Sequence, residues 1–158
     1  MPTIELYTEI NAPIKRCFDL ARSIDLHLIS TKHTGEKAIA GRTSGLIELG
    51  ETVTWRARHF FIWQNLTTKI TEMQPPDFFA DEMVSGAFKS FRHEHYFFTV
   101  DGKTLMRDVF VFESPYGLLG RIFNIITLKA YMTSLLTQRN EVIKQVAESG
   151  KREEMKLS

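Results

Sequence analysis

Five consecutive segments of alternating apolar and polar residues, rich in aromatic and β-branched side chains, run through the middle of the chain. Such alternation is typical of strands that bury one face of a sheet, and the short connections between the segments favour an antiparallel meander. Pro75-Pro76-Asp77 and Asp101-Gly102 place turn-forming residues at two of these connections. The predicted strands are Glu51 to Phe60, Gln64 to Met73, Phe78 to Val84, Phe88 to Val100 and Thr104 to Glu113.

One strand and two short helices are predicted before this meander, and one long helix after it. Thr3 to Ile10 alternates as a half-buried strand does. Asn11-Ala12-Pro13 is typical of a helix start, with Asn11 as the capping side chain, and Ser23 is expected to cap a second helix from Ile24 to about Ile29. An apolar stripe predicts the long helix from Leu118 to about Val146.

This order of elements limits how the chain can build a core. A strongly twisted antiparallel sheet must bury its apolar face against another layer, and the sequence offers only one long helix for that purpose. We therefore expect an α+β fold in which a curved sheet wraps around the C-terminal helix. One helix fills such a concavity incompletely, which leaves room for an internal cavity. Residues 1–148 form a single domain in this interpretation, and the charged residues 149–158 form a flexible tail.

Composition and motifs exclude several function classes. The net charge is +1 and the basic residues are dispersed among acidic ones, which disfavours nucleic acid as a partner. The chain has no charged leader and no apolar run of membrane-spanning length, so we expect a cytoplasmic protein without stable membrane insertion. The single Cys17 is expected to be a buried thiol. No phosphate-binding loop or nucleophile elbow is present.

The stretch from Phe88 to Val100 places His93 and His95 on the same, otherwise apolar face of its strand. If Asp101-Gly102 is a two-residue turn, the numbers of directly opposed residues sum to about 203, which sets His95 opposite Asp108. The same register pairs Phe97 with Met106, His93 with Phe110 and Phe91 with Phe112. An imidazole and a carboxylate so placed are expected to form a hydrogen bond.

A similar argument applies to the strand that precedes this one. A three-residue loop at Gly86-Ala87-Phe88 sets Asp81 opposite His93. It also sets Phe79 opposite His95 and Met83 opposite Phe91. Three interpretations of these His–Asp pairs stay open: polar contacts that fix strand register, recognition of a ligand, and acid–base catalysis by His95 with Asp108. A metal site is disfavoured because each imidazole already has a carboxylate partner.

The inner face predicted from strand parity describes a mostly apolar ligand cavity. In Glu51 to Phe60, the parity that avoids the two arginines adds Trp55 and His59 to this face. His27 and His33 are expected to cap the short helices or to lie at the surface. The predicted lining comprises Trp55, His59, Phe79, Asp81, Met83, Phe91, His93, His95, Phe97, Met106, Asp108, Phe110, Met132 and Leu135.

Several motifs in this order resemble one superfamily. They are Asn11-Ala-Pro13, Gly45-Leu-Ile-Glu-Leu-Gly50 with Val53-Thr-Trp55, Phe91-x-His-x-His-x-Phe97, Thr104-Leu-Met-x-Asp108 and Pro115-Tyr-Gly117-Leu-Leu-Gly120. From Thr3 to Glu148 the chain is similar to the SRPBCC superfamily, which includes START-type lipid-transfer domains and polyketide cyclases. The resemblance implies a helix-grip fold with a hydrophobic ligand cavity. We expect this cavity to bind or transport a hydrophobic small molecule, such as a lipid, fatty acid, isoprenoid or polyketide, without a cofactor.

The resemblance does not fix one activity, because this fold hosts binders, carriers and enzymes. A binding protein is the preferred interpretation. A cyclase- or dehydratase-like enzyme that uses His95 and Asp108, and a protein-interaction module with a vestigial cavity, are the alternatives.

Four large apolar residues, Phe60-Phe61-Ile62-Trp63, occupy the predicted hairpin between the first two strands of the meander. Compared with the superfamily pattern, Phe61 stands where a small turn residue is expected and Trp63 where a polar residue is commoner. These residues are expected to form a lid over the cavity or a homodimer contact. A membrane contact is disfavoured because the flanking charges do not form a basic cluster in the sequence.

Overall fold

A computed structural model of the chain describes residues 2–59, 61–113 and 118–149, without the side chains of residues 118–125. It confirms an α+β fold in which one antiparallel sheet packs on short helices and on a long C-terminal helix. The elements are β1 Thr3–Ile10, α1 Ile14–Ala21, α2 Ile24–Ser30, a 3₁₀ turn Lys32–Thr34, β2 Lys37–Gly41, β3 Thr52–His59, β4 Ile62–Gln74, β5 Phe78–Ser85, β6 Ser90–Val100, β7 Lys103–Glu113 and α3 Leu118–Ser149.

The seven strands lie in the order β1-β7-β6-β5-β4-β3-β2. Strands β3 to β7 form the predicted meander of five strands, β2 extends the sheet beside β3, and β1 pairs with β7. The β4 strand begins at Ile62, two residues earlier than predicted, so the β3–β4 hairpin is tighter than expected. The predicted hairpin residue Phe60 lies outside the described residues.

The predicted β6–β7 register is confirmed for all four pairs, including His95 opposite Asp108. The β5–β6 register is confirmed for Asp81 opposite His93 and for Phe79 opposite His95. The predicted pairing of Met83 with Phe91 is wrong, because the ladder ends at Glu82 and Arg92. Strand β6 begins only at Ser90, so the connection is longer than the predicted three residues.

The predicted N-cap residue is confirmed for α2 but not for α1. Ser23 caps α2 as predicted, since the Leu26 N–H donates to Ser23 Oγ at 3.1 Å. The prediction that Asn11 caps α1 is wrong, because the helix begins at Ile14 with Pro13 as its N-cap and without a side-chain cap. The Asn11 backbone N–H instead donates to Glu148 Oε2 at 2.8 Å, which ties the end of β1 to α3.

The inner face of the sheet packs into two apolar clusters. The large cluster joins the sheet to α1, α2 and the C-terminal part of α3, and at its centre Phe18 lies 5.5 Å, ring to ring, from both Phe79 and Phe97. Cys17 is buried there, as predicted. The small cluster lies further along the sheet, under the earlier part of α3. Its buried members are Ile4, Phe91, Phe110, Phe112 and Leu136.

Candidate functional site

A layer of polar side chains separates the two apolar clusters. Along β6, β7 and α3, polar residues stand between members of the small cluster and members of the large one. On β6, His93 and His95 lie between Phe91 and Phe97. On β7, Asp108 lies between Met106 and Phe110. On α3, Arg139 and Asn140 lie between Leu136 and Ile143. With Asp81 from β5, these residues form what we call the polar layer. The alternation of each strand and the period of the helix direct all of them inward.

Asp108 is the centre of this layer and is only 1% exposed. His93 Nε2 donates to its Oδ1 at 2.8 Å, and Asn140 Nδ2 donates to its Oδ2 at 2.7 Å. The Arg139 guanidinium lies 3.6 Å from Oδ1 and donates to the Ala21 carbonyl at 2.9 Å. Buried carboxylates require such partners, so Asp108 is held by groups from β6 and α3 together.

The hydrogen bonds of the two histidines run diagonally and not straight across the ladder. His93 bonds Asp108, and His95 Nε2 donates to Asp81 Oδ2 at 3.2 Å, so the predicted pairing of His93 with Asp81 is wrong although the register behind it is right. The predicted pairing of His95 with Asp108 is confirmed as a close contact, with His95 Nδ1 3.3 Å from Asp108 Oδ1, but not as a hydrogen bond. An imidazole reaches beyond the residue directly opposite it, and the diagonal neighbour lies within range of a side chain of that length.

Of the two histidines in the layer, His95 is the more deeply buried. Its ring stacks on Phe79 at 4.0 Å, measured between centroids, and is 1% exposed. The His93 ring lies 3.8 Å from it, with the two imidazole planes tilted by 32°. Its Nδ1 lies 3.3 Å from Asp108 Oδ1 and makes no hydrogen bond within the described part of the chain. His95 therefore belongs to the packed interior.

Burial and hydrogen bonding set the charges of the layer. Burial would raise the pKa of Asp108, but the hydrogen bond from His93, the His95 ring nitrogen 3.3 Å away and the charge of Arg139 hold that pKa well below its usual range. Burial opposes ionisation of Asp81 too, yet its contact with His95 lowers its pKa. Burial lowers the pKa of His93, which is neutral at pH 7. Two ionised carboxylates, Asp81 and Asp108, thus lie in a layer that contains one guanidinium, that of Arg139.

Asp81 is the member of the layer that an incoming molecule can reach. Its side chain lies on the inner face of the sheet and keeps 20% of its exposure, while the side chains of Asp108 and His95 keep 1% and 2%. Apolar side chains around it on the inner face and on α3 are also only partly buried. They are Leu66 and Met83 from the sheet and Leu128 and Met132 from α3.

The other residues of the predicted lining divide between the two clusters. Phe91, Phe110 and Met132 belong to the small cluster, whereas Trp55, Phe79, Phe97 and Met106 belong to the large one. Leu135 is half-buried on α3. An open depression of about 770 Å³ lies elsewhere, on the outer face of the sheet among Glu72, Arg92 and Glu94, and no residue of the polar layer lines it.

The layer also contains metal-ligand types. One donor atom each from Asp81, His93 and His95 lies within 4.8 Å of the others. Two imidazoles that share a zinc ion through nitrogens about 2.1 Å from it have ring centres about 5 Å apart. The ring centres of His93 and His95 lie 3.8 Å apart with the ring planes tilted by 32°, so the two rings would have to separate to share one zinc ion. As arranged, these residues suit hydrogen bonding better than metal coordination.

Two polar contacts near the edge of the sheet were missed by the sequence reasoning. His27 was expected to cap a helix or lie at the surface, but its ring packs 4.2 Å from that of Trp55 and its Nε2 pairs with Glu36. His59 Nδ1 forms a hydrogen bond with the Tyr131 hydroxyl at 2.6 Å, which links the end of β3 to α3. Burial lowers the pKa of His59. His33 is exposed, as expected.

Arg139 and Asn140 were missed as well, although the sequence carries a signal for them. Both residues lie three or four positions from Leu136 on one side and from Ile143 on the other. This helical spacing places both of them on the apolar stripe of α3. Polar residues on such a stripe need buried partners, and a carboxylate on the facing strand is the natural candidate.

Comparisons with known proteins agree on the fold. The sequence matches no protein-family model and no curated protein. Among solved structures, TTHA0849 from Thermus thermophilus is 16% identical with a TM-score of 0.69, and the match covers 90% of this chain and 97% of that one. The ginseng major latex-like protein 151 from Panax ginseng is 15% identical with a TM-score of 0.67, covering 92% and 97%.

Two further matches extend this agreement. Ara h 8.0201 is 12% identical with a TM-score of 0.62, covering 94% of this chain and 98% of that one. The Aha1 protein from Colwellia psychrerythraea, solved as a dimer, is 16% identical with a TM-score of 0.63, covering 96% and 99%. Each match spans nearly the whole length of both chains. The chain therefore shares the fold of these proteins, which is the predicted helix-grip arrangement of an antiparallel sheet and a long C-terminal helix.

Proposed function

We propose that the chain binds a hydrophobic small molecule between the sheet and α3, at the end of the core where the small cluster lies. The observation that carries this proposal is the partial exposure of Asp81 on the inner face of the sheet. A side chain there keeps contact with solvent only where the sheet and α3 leave space between them. In this proposal the polar layer forms the inner end of that space.

The packing of the two clusters supports the same location. In the large cluster, seventeen buried residues are accompanied by seven partly buried ones. In the small cluster, five buried residues are accompanied by six partly buried ones, among the described residues. Apolar side chains left partly exposed on a concave face gain free energy when a ligand covers them, at roughly 25 cal/mol per Å² of apolar area. The small cluster is therefore the favoured binding end.

The charge of Asp81 favours a particular polar group on the ligand. Asp81 is ionised and accepts one hydrogen bond from His95, which leaves acceptor capacity toward the space. The one guanidinium of the layer, Arg139, is turned to Ala21, Asn140 and Asp108. A long-chain amine or alcohol, which can donate to Asp81, should bind better than a carboxylate of equal length.

The exposures of the ionisable side chains in the layer also distinguish binding from catalysis. The alternative enzyme would use His95 and Asp108, but both are 1% exposed and both are held by other protein groups. The group within reach of a bound molecule is a carboxylate that makes a single hydrogen bond. Binding, and transport of the bound molecule, is thus the function that the geometry favours over acid–base chemistry.

The test of binding uses the neutral fluorescent probe N-phenyl-1-naphthylamine. Met83→Trp adds volume on the inner face and should weaken probe binding at least tenfold. Val84→Trp is the matched control, because Val84 is the next residue, points to the outer face and is 59% exposed. Wild-type protein that fails to enhance the fluorescence of the probe, or equal effects of the two variants, would contradict the proposed site.

The test of polar selectivity is displacement of the probe by dodecylamine, dodecanol and dodecanoate. We expect the amine and the alcohol to displace it at lower concentrations than the acid. Asp81→Asn should reduce this difference about tenfold, whereas Glu82→Gln, on the outer face of the same strand, should keep it. An acid preferred by the wild type, or a preference unchanged in Asp81→Asn, would refute the role of Asp81 while leaving the binding site itself in place.

A further inference from the structure

The tip of the β3–β4 hairpin exposes three consecutive large apolar residues. Phe61 is 87% exposed, Ile62 61% and Trp63 51%. We call these residues the hairpin tip. Single exposed apolar side chains are common on protein surfaces, but a contiguous group of this size indicates a surface that meets another apolar phase or partner.

Basic residues from three separate segments surround the hairpin tip. The guanidinium of Arg56 lies 5.2 Å from the ring of Trp63, and that of Arg58 lies 5.6 Å from the ring of Phe61. Lys37 on the edge strand β2 stands directly opposite Arg56. A Cβ atom placed on Gly35 would lie 3.3 Å from the Trp63 ring, so the 3₁₀ turn that carries exposed Lys32 and His33 is adjacent to the tip.

Acidic residues do not offset this charge. The twenty residues from Thr52 to Thr71 contain no Asp or Glu. The nearby acid, Glu36, keeps 8% of its side-chain exposure and is paired with His27. The hairpin therefore presents apolar and aromatic side chains next to Arg56 and Arg58, with Lys32 and Lys37 on adjacent elements. The sequence hides this pattern because the two lysines lie about twenty residues from the arginines.

The backbone conformation of Phe61 is a second, independent indication that the hairpin tip has a function. Phe61 has φ of +65°, a left-handed conformation that suits glycine and disfavours a bulky side chain. An exposed phenylalanine here carries both conformational strain and an unburied ring. Strain of this kind concentrates at functional positions, where another interaction compensates it.

We propose that the hairpin tip docks the protein on an anionic phospholipid surface, with Phe61, Ile62 and Trp63 entering the interface and Arg56, Arg58 and Lys37 contacting phosphates. Aromatic rings with adjacent cations are the combination that binds such interfaces. A second copy of the chain fits less well, because a symmetric dimer through this patch brings the arginines of both copies together. No described helix is long and apolar enough to cross a bilayer.

The experiment is co-sedimentation of the full chain with vesicles of phosphatidylcholine alone or with 30% phosphatidylglycerol. We expect binding to the anionic vesicles that weakens with added salt, and at least tenfold weaker binding to the neutral ones. Phe61→Gly should reduce the partition coefficient about tenfold, and Arg56→Gln with Arg58→Gln about twenty-fivefold, at roughly fivefold for each cation. Phe61→Gly relieves the backbone strain, so misfolding will not explain its loss of binding.

Leu49→Ser is the matched control, because Leu49 is 56% exposed and lies before β3, at the end of that strand away from the hairpin. It should leave vesicle binding within twofold of the wild type. Equal binding of wild type and Phe61→Gly, or equal binding to both vesicle types, would overturn the proposal. A dimer in sedimentation velocity without vesicles that dissociates in Phe61→Gly would also overturn it and would assign the tip to self-association.

Discussion

Replacement of Asp108 by asparagine tests whether the polar layer holds the fold together. Asp108 offers two anionic oxygens, and each accepts a hydrogen bond, from His93 at 2.8 Å and from Asn140 at 2.7 Å. An amide of the same shape offers one oxygen and one NH₂ group. At least one buried donor therefore loses its acceptor, which costs about 1–3 kcal/mol. Arg139, 6% exposed, also loses its anionic neighbour.

Breaking a buried ion pair by removing one partner costs about 3–5 kcal/mol. The two effects overlap because they share one side chain, so we expect Asp108→Asn to lower the free energy of unfolding by about 4 kcal/mol. For a domain of this size that is about 10 °C in Tm. Urea unfolding followed by tryptophan fluorescence measures it. Glu94→Gln, on the outer face of β6, is the control and should change stability by less than about 1 kcal/mol. A loss below 1 kcal/mol for Asp108→Asn would refute the reasoning.

Three further predictions concern pH, the hairpin and a buried hydroxyl. Burial lowers the pKa of His93 and of His59, so near and below pH 6.5 the unfolded chain binds more protons than the folded one. The free energy of unfolding should therefore fall from pH 7.5 to pH 5.5, by at most ~1.4 kcal/mol per pH unit for each histidine. A free energy from urea unfolding that does not change with pH would contradict this. Phe61→Gly should raise the free energy of unfolding by about 0.5–1 kcal/mol, and a lower Tm would argue against strain. Thr104→Val removes the bond to the Ala12 carbonyl and should cost about 1–2 kcal/mol in the same assay, with Thr99→Val, exposed on β6, as the neutral control.

The strand register was predictable because it depends on local rules. A two-residue Asp-Gly turn fixes which residues of β6 and β7 face each other, and alternation then fixes which of them point inward. The hydrogen bonds within that register were not predictable in the same way. They depend on imidazole rotamers, and these rotamers are set by Phe79, by the close contact between the His93 and His95 rings, and by Asn140 from a distant helix.

The same distinction explains what the sequence hides at the hairpin. The apolar run at the tip is visible in the sequence, but its charge environment comes from Lys32 and Lys37, which the fold brings beside Arg56 and Arg58. The sequence prediction disfavoured a membrane contact for lack of a basic cluster. Clustering of residues from separate segments is a tertiary property, so local charge patterns underestimate it.

The diagonal hydrogen bonds suggest that the two carboxylates of the polar layer have separate roles. Asp108 joins β6, β7 and α3 and has no exposed surface to offer, so its contribution is to stability and register. Asp81 joins only β5 to β6 through one bond of 3.2 Å and stays within reach of solvent. If this division is right, Asp108→Asn should lower stability and leave the preference among dodecylamine, dodecanol and dodecanoate intact in the folded fraction. Asp81→Asn should change that preference at a cost of less than about 1.5 kcal/mol. Variants that changed both properties equally would mean that the layer acts as one unit.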